Sequence, residues 1–195
     1  MGRNFETLVT RLLELRIHGK VDQEVQNVTV THFKTGRGIR ITVHAKGSSV
    51  AKFNSMELSA IPVPRPGSDV LCIPRNSNFP FIDQVLLQRD EYGELTVVLF
   101  RCTVGRDYKP TGPQVMHAWS QLQQIGVQQR PLLVWVTWDF SPTFTEQKLA
   151  RPKDGKVGPT PNELEEQAQQ EAEFAQWHHC WWKIGEGNLP DPPAK

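Results

Sequence analysis

The stretch that most constrains this chain is PLLVWVTW, Pro131 to Trp138. It is apolar almost without a break and lacks the alternation that would turn one face to water. A run of this kind reads as an interior strand, so it needs a sheet around it and cover on both faces.

The remaining periodicities supply the partners. Residues 4–17 predict a helix, because Phe5, Leu8, Val9, Leu12 and Leu13 recur at helical spacing and Gly19 offers a stop. Residues 28–34 and 39–45 are rich in Val, Ile and Thr, and TGRG, Thr35 to Gly38, separates them as a hairpin turn. Pro62 to Pro66 reads as a connection. Asp69 to Ile73 is a short strand, and Phe81 to Leu87 and Leu95 to Val104 form an antiparallel hairpin across RDEYGE. Thr111 to Gln114 is a capping box ahead of Val115, Trp119, Leu122 and Ile125, and Gly126 ends that helix. A polar loop over residues 150–159 leads to a second capping box, Thr160 to Glu163, with Pro161 at the first helical position. The pattern predicts a helix from there to about Lys183 and a disordered tail over residues 185–195. The expectation is one mixed α/β domain over residues 1–184. It has a helix, a three-to-four-stranded mixed sheet with a hairpin, a helix, a further strand and a long C-terminal helix.

Composition narrows the function classes. With 195 residues, 38% hydrophobic and 22% charged, the chain can build a core. A net charge of +1 announces no bulk affinity for nucleic acid, though a local basic face is still open. One such face is Arg3, Arg11, Arg16 and Lys20 on the first helix, read as solvated or, alternatively, as phosphate contacts. The cysteines, Cys72, Cys102 and Cys180, are odd in number and widely spaced, which suits reduced thiols inside a cell rather than a disulfide framework or a zinc module. No run is long enough to span a membrane, and the charged N-terminal stretch lacks the apolar core of a signal peptide. His178, His179 and Cys180 sit next to one another; on a helix they point about 100° apart and cannot grip one ion. Trp177, Trp181 and Trp182 suit a core or an interface, or else a base-stacking platform.

The candidate site begins at NFPFIDQVLL, Asn78 to Leu87, where Asp83 interrupts an apolar run. A carboxylate there needs a partner. On the facing strand Leu99, Arg101 and Thr103 share one face by alternation. Two readings follow: Asp83 is a strand-end carboxylate paired with Arg101 or Lys109, or it is a ligand for a divalent ion such as Mg²⁺. Glu6 likewise either favours a helix N-terminus by its charge or joins the metal.

Three segments carry a resemblance: GRNFETLVTRLL (Gly2 to Leu13), VLCIPRNSNFPFIDQVLL (Val70 to Leu87) and VVLFRCTVGRDYKPTG (Val97 to Gly112). Together they span most of residues 2–125. The chain resembles the C-terminal nuclease-like domain of the Crinkler effectors and retrotransposon hot spot proteins. That resemblance implies a restriction-endonuclease-like fold and a metal-dependent phosphodiesterase. Asp83 and Glu6 would hold Mg²⁺, Arg101 and Thr103 would occupy the catalytic strand, and Lys109 and Arg106 would hold phosphate. It also implies DNA or RNA as partner, in the nucleus or elsewhere in the cell, with delivery into a host cell only if a further N-terminal region directs it. The sequence departs from the family where the family usually has Gln-x-Thr and then a His. Arg101 stands at the Gln position, and the His position falls near Asp107 or Tyr108. A permanent cation there supplies no acceptor for a metal. The alternative is a non-catalytic module, with an inactivated site, that binds nucleic acid or a protein.

Overall fold

The computed structural model describes residues 2–19, 27–44, 47–53, 57–75, 81–102, 109–138, 148–150 and 160–184. The elements are α1 (Gly2–Ile17), β1 (Asn27–His32), β2 (Gly38–Thr42), β3 (Ser49–Phe53), a 3-10 turn (Leu58–Ala60), β4 (Ser68–Pro74), β5 (Gln84–Arg89), β6 (Leu95–Cys102), α2 (Gly112–Gln124), β7 (Leu132–Trp138), α3 (Pro161–Ala175) and β8 (His178–Ile184). All eight strands belong to one mixed sheet in the order β2-β1-β8-β7-β6-β5-β4-β3. Strands β4, β5 and β6 form an antiparallel meander, β6, β7 and β8 run parallel, β1 runs antiparallel to β8, and β3 runs parallel to β4.

The PLLVWVTW run lies between β6 and β8, as an interior strand should. Its alternate side chains serve two separate cores. Leu133 and Trp135 join Val85, Leu99 and Val115 on the face covered by α2. Val134 and Val136 join Val9, Leu12, Leu86 and Phe100 on the face covered by α1. The parallel β6–β7 and β7–β8 pairs need crossovers, which α2 and α3 supply. The two helices pack together, and Phe174 near the end of α3 completes the α2-side core.

Several expectations hold. The capping boxes at Thr111 and Thr160 start α2 and α3, with Pro113 and Pro161 in their first turns. Gly19 and Gly126 take left-handed φ values of 61° and 95° just past their helices, where a Cβ would be strained. TGRG is the β1–β2 turn, with Gly36 at φ 64°.

Three expectations are corrected. The last helix among the described residues stops at Ala175 rather than running on to about Lys183. Residues 178–184 instead form β8, pairing with β7 along all seven residues, Leu132↔His178 through Trp138↔Ile184. Trp177 and Trp181 imitated a helical repeat, but the unfilled edge of β7 decides the matter. In a strand the neighbours point to opposite faces: Cys180 is buried toward α1, while His179 lies against Phe174. The sheet is also larger than three or four strands, because β1, β2, β3 and β8 extend it at both ends. Finally, Arg16 is not on a solvated face. It is 4% exposed, donates to the Leu12 carbonyl at 2.9 Å and lies over Trp182. Burial lowers its pKa to about 10. The loop at residues 151–159, the tail at 185–195 and Lys20 lie outside the described residues.

Candidate functional site

Asp83 sits just before β5, where the chain bends. Phe81, two residues earlier, has a φ of +40°, so the apolar run turns before it becomes a strand. The Asp83 N–H donates to the Phe100 carbonyl at 2.8 Å, which fixes its backbone beside the end of β6. The β5–β6 register, Gln84↔Phe100 onward, brings Asp83 level with Arg101. The Arg101 guanidinium donates to Asp83 Oδ1 at 2.8 Å, and the Cys102 N–H donates to Oδ2 at 2.6 Å. Of the two cations considered as partners, Arg101 makes the contact; Lys109 is exposed. Thr103 and Arg106 lie outside the described residues.

Helix α1 closes the site from the other side. The Gln84 amide donates to Thr10 Oγ1 at 2.8 Å, tying the helix to the start of β5. Glu6, one turn earlier on α1, is near enough to act electrostatically on both Asp83 and Cys102. The structure therefore brings Glu6, Asp83 and Arg101 together. The Cys102 thiol, which touches Gln84 Oε1 at 3.6 Å, completes the cluster.

Burial pushes the Asp83 carboxyl up to about 6, and Glu6 adds to the rise, against the pull of Arg101 and the Cys102 N–H. Burial, with Asp83 and Glu6 nearby, holds the Cys102 thiol well above its usual range, so it is no thiolate nucleophile.

A divalent ion would need oxygen donors here. Among the described residues Glu6 and Asp83 are the carboxylates at hand, and both oxygens of Asp83 already accept from N–H groups, one of them a permanent cation. Among the described residues no group of three His, Cys, Asp or Glu side chains is arranged to hold a metal. Among the described residues this donor set is that of a charge-paired carboxylate.

A second polar constellation, absent from the sequence reading, lies at the other end of β4 and β5. Asp69 is fully buried and accepts from the His44 N–H at 2.7 Å, from His44 Nδ1 at 2.9 Å and from the Gln88 amide at 3.0 Å. Gln88 also donates to the Thr42 carbonyl at 2.7 Å, so the cluster fastens the end of β2 across β4 and β5. Its signal was an acid opening the apolar strand SDVLCI, the same anomaly that drew notice to Asp83.

Among the described residues no helix is long and apolar enough to cross a membrane. Comparison with family models, with curated proteins and with solved structures gives no match for this chain.

Proposed function

We propose that this chain is a nucleic-acid-binding domain of the Crinkler and retrotransposon hot spot kind, with a restriction-endonuclease-like core whose phosphodiesterase site is closed by Arg101. The succession α1, β4–β5–β6 meander, α2 and parallel β7, with helices on both faces, supports the core assignment. One observation carries the loss of catalysis: Asp83, the residue that would anchor a metal, has its Oδ1 held by Arg101 at 2.8 Å.

The test is direct. Purified protein is incubated with Mg²⁺ or Mn²⁺ and labelled DNA or RNA, and both retention and cleavage are measured. The expected result is salt-sensitive binding without cutting. Arg101→Gln restores the family's residue and frees Oδ1; cutting that appears in this variant and vanishes in Arg101→Gln/Asp83→Ala would show a scaffold with one broken ligand. Cleavage by the unaltered chain that Asp83→Ala abolishes would overturn the closed-site reading. It would install the live nuclease instead, a second reading favoured by the closeness of Glu6 to Asp83.

A further inference from the structure

Between Glu24 and Glu57 the sequence holds no Asp or Glu, yet it holds Lys34, Arg37, Arg40, Lys46 and Lys52. In a chain with 22 basic and 21 acidic residues, this is a concentrated imbalance. The fold gathers part of it on one surface. Strands β1 and β2 pair as a hairpin, with Thr29↔Arg40 and Thr31↔Gly38 opposite each other. Val28, Val30 and Ile41 from the alternate positions are buried in the α1-side core. Thr29 and Arg40 therefore share the outer face, and both are exposed.

The surface continues into β8, which also carries no acid from His178 to Ile184. Thr31 pairs with Trp181. Lys183 places its ammonium 4.7 Å from the Trp181 ring, and that indole is only partly buried. Across the turn, Lys34 and Arg37 are exposed, and Lys34 reaches the Ala175 carbonyl at 3.4 Å. Arg37 stands between Gly36 and Gly38; a Cβ at Gly36 would meet nothing within 4 Å, so a phosphate can approach this backbone unobstructed. Among the described residues no carboxylate pairs with Arg37 or Arg40. Arg40 also lines a groove that holds Asp90 and Glu94, of which Glu94 is engaged by the Gln129 amide.

We infer that the outer face of β1, β2 and β8 is the docking surface for single-stranded nucleic acid. Arg37 and Arg40 contact the phosphates, and the Trp181 indole offers a face to a base. Charge complementarity selects the polyanion, and a single aromatic beside cations selects unstacked bases over a duplex. This deepens the nucleic-acid reading above and rests on it, but it moves the contact away from Asp83 and from the basic residues of α1.

The experiment uses the full chain and a fluorescein-labelled single-stranded oligonucleotide, read by anisotropy across a salt series. Arg37→Glu/Arg40→Glu lies on exposed turn and strand positions, and its thermal unfolding is checked against the parent. The expected result is at least a tenfold loss of affinity. For the charge-neutralising Arg37→Gln/Arg40→Gln, the slope of log affinity against log salt should become shallower by about 1.4, at roughly 0.7 per phosphate contact. Arg11→Glu, on α1, should leave binding unchanged. Unchanged binding in the hairpin variants overturns the inference, as does tighter binding to phosphatidylserine vesicles than to the oligonucleotide. The two readings fail separately. Mg²⁺-dependent cleavage removes the closed site and leaves the hairpin standing, whereas oligonucleotide binding that ignores Arg37 and Arg40 removes the hairpin and leaves the closed site standing.

Discussion

Arg101 and Asp83 form an ion pair across neighbouring strands, 2.8 Å from Nη1 to Oδ1, with the two side chains 19% and 9% exposed. The pair does not bring the acid down to an ordinary value. Burial, the largest influence, raises Asp83 from 3.8 to about 6. The folded state therefore keeps a proton that the unfolded chain releases between those values. The stability tied to that proton is complete below pH 4 and is lost as pH rises through about 6. Asp83→Asn removes the titration. Urea unfolding at pH 4 and at pH 7.5 should show the variant gaining on the parent over that interval, by up to about 3 kcal/mol for a shift of roughly two units. A difference that stays constant across the interval would count against the raised value.

Removing the cation is a separate matter. Arg101→Met leaves a buried carboxylate without its guanidinium, a change that costs about 3–5 kcal/mol when a buried pair is broken on one side. The loss should be largest at pH 7.5 and smaller at pH 4, where Asp83 is protonated and needs no cation. Chemical denaturation at the two values checks the order.

Gly112 opens α2 directly against α3. A Cβ there would run into the Gln170 side chain, whose own Cβ would lie 2.9 Å away. Gly112→Ala should destabilise the protein by about 1–3 kcal/mol through overpacking. Gln170→Ala removes the outer atoms but not the Cβ, so the double variant should recover part of the loss. A double-mutant cycle on denaturation midpoints measures that coupling.

The start of α3 depends on reciprocal capping. The Thr160 N–H donates to Glu163 Oε2 at 2.7 Å, and the Glu163 N–H donates to Thr160 Oγ1 at 3.3 Å. Thr160→Ala should cost about 1 kcal/mol and leave the proposed nucleic-acid binding untouched, since the cap is far in sequence from the hairpin and bears no cation. Thermal unfolding and anisotropy on the same sample read both.

The two ends of the chain differ in how far the sequence could speak for them. Helix α1, the β4–β6 meander, α2 and β7 were legible because each has a strong local signal: apolar spacing at Phe5, Val9 and Leu12, a capping box at Thr111, an unbroken apolar run from Pro131. Strand β8 was not, because HHCWWKI owes its conformation to the edge of β7, and nothing within those seven residues announces that edge. Strand β3, SVAKF, was missed for the same reason, being a parallel partner of β4 contributed from outside the meander. At the site, alternation put Arg101 with Leu99 and Thr103 on one face of the strand facing Asp83, and left Arg101 and Lys109 both open as its partner. It could not foresee the Cys102 N–H on the second carboxylate oxygen, nor the Asp69–His44 clasp, because both depend on where a bend points a side chain.

The bridge between β1 and β8 has a consequence for how this molecule comes to exist. Among the described residues two ladder pairs, Thr31 with Trp181 and His32 with Cys180, join the two strands, with the Phe33 N–H donating to the His179 carbonyl beside them, and these partners stand about 150 positions apart along the polypeptide. Closing so long a loop for two ladder pairs is entropically costly, and contacts of that separation slow a folding reaction. The meander and its two crossovers can assemble from nearer neighbours; the hairpin's ladder to the sheet cannot form until β8 has been laid beside β7, although the Asp69 clasp can already hold the end of β2. The basic surface assigned to nucleic acid is thus expected to be the last part of the sheet to assemble, and amide hydrogen exchange should find β1 opening well before β5 and β6.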